Sequence, residues 1–383
     1  MMTSTARSAH ASRHKVSPLS PPHSSTETTN NGKKNQNDSH DSVVLADTLP
    51  LGFPWIPIGH PDTMMSKESV RRAVEEFKVR PTDVIVSTFS KTGTTLVLWI
   101  CHLLRTFMHI NSPDGDVMVE ETITSQIETL YEVVPWPLLC YDIGYDPNVD
   151  GSQFFPRVFK SHLRMASVYR GCRYVVTVRD PAKTTLSFYN FLLSKEVPLV
   201  LELPDVTSFL LDTPFVQGRP GRASLWEYYQ EYHLLLDCDS VLFVVYEDLV
   251  GEEKSKWVRA IGEFMMSDPK ENDDESSSQT RERITPATID AVCKYSTKEF
   301  MSKHNHLFDE PYERAKKLGR AADLSQLAPG KKIALSPHPQ TFDANGLAFF
   351  HKKWTETMKP LGYDDYNAFA VTIRERNRKR FKF

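Results

Sequence analysis

Four hydroxyls, a lysine and a glycine crowd into the six residues Ser90-Lys91-Thr92-Gly93-Thr94-Thr95. Such a cluster suits the binding of an anion, although serine, threonine and glycine also make ordinary turns. The apolar run Val84-Ile85-Val86 ahead of it reads as a buried strand, and the apolar run from Leu96 onward reads as a helix. A strand turning into a helix N-terminus aims several backbone N–H groups and the positive dipole end at one point. Lys91 adds a full charge there. The Walker arrangement of Gly-x-x-x-x-Gly-Lys-Thr places its lysine after the last glycine. Here Lys91 precedes Gly93, so this is a phosphate loop of another kind.

Ser-Lys-Thr-Gly-Thr-Thr after a strand resembles the 5′-phosphosulfate loop of the PAPS-dependent sulfotransferases of the soluble, cytosolic type, usually written Tyr-Pro-Lys-Ser-Gly-Thr-Thr-Trp. Three further segments follow in the family's order. Pro156-Arg157-Val158-Phe159-Lys160-Ser161-His162-Leu163 looks like the segment Lys-Thr-His-Leu, whose histidine is the family's catalytic base. An acceptor hydroxyl must shed its proton as it attacks sulfur, and an imidazole of pKa about 6.5 can take it at neutral pH. Tyr174-Val175-Val176-Thr177-Val178-Arg179-Asp180-Pro181 ends a strand and opens a helix at Pro181. Ser187 follows eight residues after Arg179. An arginine and serine at this separation grip the nucleotide 3′-phosphate in the family, and the guanidinium fork suits phosphate oxygens. Asp180 reads as the helix cap. Val241 to Leu249 resembles the strand ending in Tyr-Glu-Asp-Leu, which implies Tyr246 near the adenine, with Glu247 and Asp248 capping the next helix. The likeness runs from about residue 50 to 265. It includes Phe77 to Asp83, much like the Arg-Pro-Asp-Asp lead-in, and Trp226 to Tyr232, similar to a Trp-Tyr helix.

The resemblance implies 3′-phosphoadenosine-5′-phosphosulfate as co-substrate, held by Ser90, Lys91, Thr92, Gly93, Thr94, Thr95, Arg179, Ser187 and Tyr246. His162 would be the base, with Lys91 and Lys160 offsetting charge on the departing phosphate. The chain departs from the family in places. Leu96 stands where tryptophan stacks on adenine, Phe89-Ser90 replaces Tyr-Pro, and Arg164 replaces a proline. The C-terminal Arg-Lys-Gly motif of the 3′-phosphate grip is missing in recognisable form. Its nearest substitute is Lys331 in Pro329-Gly330-Lys331-Lys332, or that turn is an exposed loop. Ser296-Thr297 sits where the family has an adenine-side threonine.

These residues need a scaffold. Strands over Val84–Ser87, Val158–Lys160, Tyr174–Val178 and Val241–Tyr246, each followed by a helical pattern, predict an α/β fold. Its P-loop-like central parallel β-sheet is flanked by helices on both faces, as in the sulfotransferase fold. Helices are predicted over Glu68–Phe77 and Thr94–Phe107. The site residues then fall at the carboxyl ends of strands, where open α/β sheets bind ligands. Residues 1–45 are rich in Ser, Thr, His and Asn and read as a disordered segment. Residues 46–383 read as a single domain, with a polar loop inserted near 267–283.

Of the 383 residues, 40% are hydrophobic, ample for a core, and the net charge of −3 argues against general nucleic-acid binding. Five scattered cysteines without a CxxC pair read as core thiols of a reducing compartment. No apolar run approaches about 18 residues, so no membrane span is expected and a cytoplasmic location is. Arg7, Arg13 and Lys15, with no acid before Glu27, leave organelle targeting as a minor alternative. No metal is implied, since His102, His109, His304 and His306 lack supporting spacing. The acceptor is a small molecule. Phe53, Trp55, Trp136, Phe154 and Phe155 favour an aromatic or apolar alcohol or belong to the core, while acidic loops at Asp114–Glu121 and Asp142–Asp150 favour an amine or are solvated. A homodimer is open to such an enzyme. Two other classes stay open, a divergent phosphoryl-transferring nucleotide kinase and a non-catalytic nucleotide-binding protein.

Overall fold

Four strands form one parallel sheet in the computed structural model of the chain: β1 (Val84–Ser87), β2 (Val158–Ser161), β3 (Arg173–Val178) and β4 (Val241–Val245). Their order is β2-β1-β3-β4. Every residue in them is buried. Successive strand side chains point to opposite faces, so both faces of this sheet must be covered. That explains why the strands read as continuous apolar runs instead of alternating ones. The structure describes residues 65–109, 116–149, 154–194, 197–219, 223–267, 284–308 and 340–382. All of them belong to one unit within Asp41–Phe383. The N-terminal segment, most of the 267–283 insertion, Phe53, Trp55 and Lys331 lie outside the described residues.

Register is pinned at the end of the sheet remote from the site. Asp83, just before β1, is wholly buried and accepts from Arg157 Nε at 2.8 Å and Nη2 at 2.6 Å, just before β2. Val84 pairs with Val158 and Ser87 with Ser161, so this one bidentate pair fixes where both strands end. On the other side, Tyr174 to Val178 of β3 pair in step with Val241 to Val245 of β4.

The helices that matter for the site follow directly from strand ends. Helix α1 (Thr94–His109) leaves β1 and packs on β1 and β2. Its Trp99 is wholly buried and donates from Nε1 to the Tyr295 carbonyl at 2.8 Å. Helix α2 (Pro181–Ser194) leaves β3 with proline in its first turn, and Asp180 caps it by accepting the Lys183 N–H at 2.8 Å. Helix α3 (Leu225–Leu234) opens on a reciprocal Ser224–Glu227 capping box. A single turn, α4 (Tyr246–Leu249), leaves β4. Two C-terminal helices, α5 (Ala344–Thr357) and α6 (Tyr366–Phe381), are capped by Asp343 and Asp365 and pack back on α3 and β4.

The chain steps from β1 to β2 in one direction and from β3 to β4 in the other. The gap between the carboxyl ends of β1 and β3 is therefore the switch point, where such sheets leave a crevice. Among the described residues, no helix is long and apolar enough to cross a membrane.

Candidate active site

The loop after β1 is built from hydroxyls that bond to one another. Thr92 Oγ1 bonds the Phe89 carbonyl at 2.7 Å and Thr177 Oγ1 of β3 at 2.7 Å, and Thr88 Oγ1 meets Thr94 Oγ1 at 2.5 Å. Thr88, Thr92 and Thr94 are buried, whereas Ser90, Lys91, Gly93 and Thr95 are half-buried. Two backbone angles make the turn. Lys91 has φ 71° and Gly93 φ 109°, a region costly for side-chain-bearing residues and seen at strained functional turns. A Cβ at Gly93 would lie 2.4 Å from Tyr246 Cδ2, so the glycine is demanded by contact as well as by angle. The first helical bond of α1 runs from the Val97 N–H to the Gly93 carbonyl at 3.1 Å. The first N–H groups of α1, before Val97, have no intrahelical acceptor, which is what makes a helix N-terminus a place for an anion.

His162 follows the last residue of β2. Its Nδ1 lies 2.9 Å from the Thr88 carbonyl. A carbonyl can only accept, so Nδ1 carries a proton, and in the neutral imidazole Nε2 is then the acceptor nitrogen. The His162 carbonyl accepts from Tyr228 Oη at 2.6 Å, and Trp136 meets the imidazole edge-on, with ring centres 5.3 Å apart. Ser87 Oγ fixes the next turn by donating to the Leu163 carbonyl at 2.7 Å. Lys160, two residues back on the same strand, is buried. Its ammonium sits 4.0 Å from the Trp136 ring centre and 5.2 Å from that of Tyr131.

Arg179 closes the crevice from the β3 side. Its Nη1 donates to the Lys91 carbonyl at 2.7 Å, and its guanidinium carbon sits 4.3 Å from the Tyr246 ring centre. Its Nε is buried with no hydrogen-bond partner. A buried guanidinium N–H without an acceptor is costly, and an external anion in this crevice would satisfy it, although Arg173 Nε and Arg376 Nη1 are also buried without a hydrogen bond elsewhere in the fold. Lys91 Nζ lies 4.0 Å from the centre of Phe191 on α2. Phe191 and Ser187 are four residues apart on that helix and share a face, so Ser187 is directed to the side where Lys91 rests. The loop after β1, His162, Arg179 and Tyr246 thus lie at one end of the sheet, with Ser187 on the helix that follows Arg179.

Other expectations resolve differently. Glu247 and Asp248 do not cap α4, which has no side-chain cap. Glu247 instead accepts from the Asp180 N–H at 3.1 Å and Tyr366 Oη at 2.6 Å, and Asp248 pairs with Arg374 at 2.8 and 2.9 Å. Thr297 is an N-cap, accepting the Phe300 N–H at 3.2 Å. Leu96 packs against the core, and the nearby Trp99 is core too, so neither supplies the missing stack. Arg164, which replaces the proline after His162-Leu163, is paired with carboxylates. Its Nη2 lies 2.5 Å from Glu231, with Glu227 at 3.4 Å from Nη1. Burial raises the Glu231 carboxyl above its ordinary value, and Arg164 pulls it back in part. Phe154 packs edge-on against His102 at 5.0 Å in the core, and Phe155 is exposed. His304 Nε2 finds Glu120 at 3.0 Å. Among the described residues, no cluster of three His, Cys, Asp or Glu could hold a metal. Residues that sequence reasoning passed over are Thr88, Phe191 and Tyr366, while Tyr228 and Tyr229 enter it only as part of the Trp-Tyr helix. Of the first three, Phe191, one turn beyond Ser187 on the same face, left a readable signal.

Comparison with known proteins finds sulfotransferases. A family profile described as the sulfotransferase domain matches residues 81–323. Sulfotransferase 6B1 of Gorilla gorilla gorilla is 26% identical over 222 residues, covering 56% of this chain and 65% of that protein. The chain thus spans just under two thirds of that relative's length. A 3-alpha-hydroxysteroid sulfotransferase of Cavia porcellus is 24% identical over 257 residues, covering 66% of this chain and 77% of the relative. Among solved structures, a mouse sulfotransferase complexed with PAP is 14% identical with a TM-score of 0.47, covering 82% of this chain and 95% of that one.

Proposed function

The chain belongs to the sulfotransferase family, and from that premise we propose that it moves a sulfuryl group from 3′-phosphoadenosine-5′-phosphosulfate to a small acceptor. The carrying observation is the bond between His162 Nδ1 and the Thr88 carbonyl, 2.9 Å long. In the neutral ring this bond assigns the proton to Nδ1 and turns Nε2 into the acceptor, the tautomer a general base at this loop needs.

The residues present suit the donor. Its phosphosulfate would lie on the Ser90–Thr95 backbone with Lys91, and its 3′-phosphate on Arg179 and Ser187. The buried, unpartnered Nε of Arg179 is the group such a phosphate would satisfy. Tyr246, stacked on Arg179, would stand between the phosphates and the adenine. Bound there, the donor supplies the sulfur electrophile and carries its own leaving group. The protein's part is positional and electrostatic. His162 Nε2 takes the acceptor's hydroxyl proton as oxygen closes on sulfur. Lys91 and Lys160 hold positive charge against the oxygen of the departing bisphosphate, and preorganised charge of this kind is usually the largest catalytic term. Lys331 lies outside the described residues, and its part in the grip stays an expectation. For the acceptor, Trp136 against the base favours an aromatic or apolar alcohol. The steroid name of the guinea-pig relative is compatible with that choice.

The test is transfer of labelled sulfate from the donor to a panel of phenols, sterols, alcohols and amines, with wild type beside His162→Ala. Transfer that vanishes with His162 supports the proposal. Binding of adenosine 3′,5′-bisphosphate without transfer to any acceptor would favour a nucleotide-binding protein. Absence of binding defeats the reading altogether.

A further inference from the structure

Arg179 is clasped by residues that are themselves backed by helices beyond the matched family domain, which ends at residue 323. Its own backbone is clasped by one side chain: the Arg179 N–H donates to Tyr229 Oη at 3.1 Å, and Tyr229 Oη donates to the Arg179 carbonyl. The next N–H, of Asp180, donates to Glu247 Oε1 at 3.1 Å. The other oxygen, Oε2, accepts from Tyr366 Oη at 2.6 Å. Tyr366 opens helix α6, whose Arg374 also grips Asp248 beside Glu247. The rings of Trp354 and Phe369 pack on Tyr229 at 6.4 and 5.7 Å, so the C-terminal helices form the wall behind this clasp.

A carboxylate is an odd neighbour for an anion site. Glu247 stands one hydrogen bond from the residue that follows Arg179, and Arg179 offers a buried Nε with no partner. Left loose, the carboxylate would meet that guanidinium and occupy the fork a phosphate needs. It is not loose, because each oxygen has a donor. Burial and the adjoining Glu247 charge also push the Tyr366 phenol far above its ordinary value, so it remains a donor.

We propose that Tyr366 and Glu247 are positioning residues for nucleotide binding: the C-terminal helix pins the Glu247 carboxylate on the Asp180 N–H and thereby keeps it off Arg179. The inference rests on the reading of Arg179 as a phosphate contact. It also gives residues 340–382 a task that the missing Arg-Lys-Gly motif would not supply.

The experiment is calorimetric binding of adenosine 3′,5′-bisphosphate to the full chain, in wild type, Arg179→Ala, Tyr366→Phe, Glu247→Gln and the double variant Tyr366→Phe/Glu247→Gln, each with a urea unfolding curve. Tyr366→Phe deletes one hydroxyl and keeps the ring. The expected result is affinity about tenfold weaker, the scale of one hydrogen bond to a charged group. Glu247→Gln removes the competing charge, so the double variant should return to within about twofold of wild type. A purely structural role for Tyr366 would not be rescued by deleting a charge. Wild-type affinity in Tyr366→Phe, or a double variant as weak as the single one, overturns the inference. If the wild type fails to bind, or Arg179→Ala binds as well as wild type, the reading of Arg179 falls first and the inference goes with it.

Discussion

Replacing Gly93 with alanine tests the loop geometry without assuming any activity. Two independent costs arise. The backbone sits at φ 109°, where a residue with a Cβ is strained by about 1–3 kcal/mol. The new methyl would also land 2.4 Å from Cδ2 and 2.8 Å from Cε2 of Tyr246, and such overpacking typically costs about 1–3 kcal/mol. The sum is about 2–6 kcal/mol against a total stability of about 5–15, so the variant should fold but unfold at clearly lower urea. The ring cannot retreat freely, because Arg179 lies 4.3 Å from its centre. Tyr246→Ala alone should cost its own packing and ring–cation energy. Combined with Gly93→Ala it removes the clash and leaves the angle, so the double variant should be less destabilised than the sum by about 1–3 kcal/mol. A Gly93→Ala protein within about 0.5 kcal/mol of wild type, or a strictly additive pair, would refute the argument that Tyr246 closes over this glycine.

Four shorter expectations accompany it. His162→Ala should lower the transfer rate by about 10²-fold or more while leaving bisphosphate affinity near wild type; an equal loss in both would make it a structural residue. Asp83→Ala strands the Arg157 guanidinium at the buried end of β1 and β2 and should cost about 3–5 kcal/mol, measured by urea unfolding. A cost under about 1 kcal/mol would show that the pair behaves as if solvent-exposed. Burial raises the Glu231 carboxyl above 4.5, so between that value and its raised one the folded chain keeps a proton that the unfolded chain has lost. Stability relative to Glu231→Gln should therefore fall as pH climbs through this window, and a difference that grows with pH contradicts it. Burial pushes the thiols of Cys101 and Cys172 up to about 12, so both should resist thiol reagents until denaturant is added, with labelling in native buffer the contrary result.

What the sequence disclosed and what it withheld divide along a physical line. Local signals carried far. Val84–Ser87 is a strand over those same residues, Pro181 opens its helix, Asp180 caps it, and the lysine-before-glycine order excludes the Walker geometry. Each depends on neighbours within a few residues. The parallel sheet, and the expectation that His162, Lys91 and Arg179 stand at the carboxyl ends of its strands, followed from alternating elements and motif order; the strand order did not. The contacts that fix those side chains did not, because they join residues far apart in sequence or run through backbone atoms. Thr88 orients His162 with its carbonyl, a group every residue possesses. Glu247 lies 119 residues from the tyrosine that holds it, and its place after a strand reads equally well as a cap.

The three cations of the site share a device that the residue list alone hides. Lys91 rests on Phe191 at 4.0 Å, Lys160 on Trp136 at 4.0 Å and Arg179 on Tyr246 at 4.3 Å. Each contact is worth about 0.5–2 kcal/mol. A ring face attracts the charge and restricts where the long side chain can go. Loss of the ring under Lys91 should therefore be read in the rate more than in the fold. In Phe191 variants carrying successive ring fluorines, size changes little while the quadrupole weakens stepwise, so transfer should decline in step with fluorination at constant urea midpoint. A rate indifferent to fluorination would reduce Phe191 to packing.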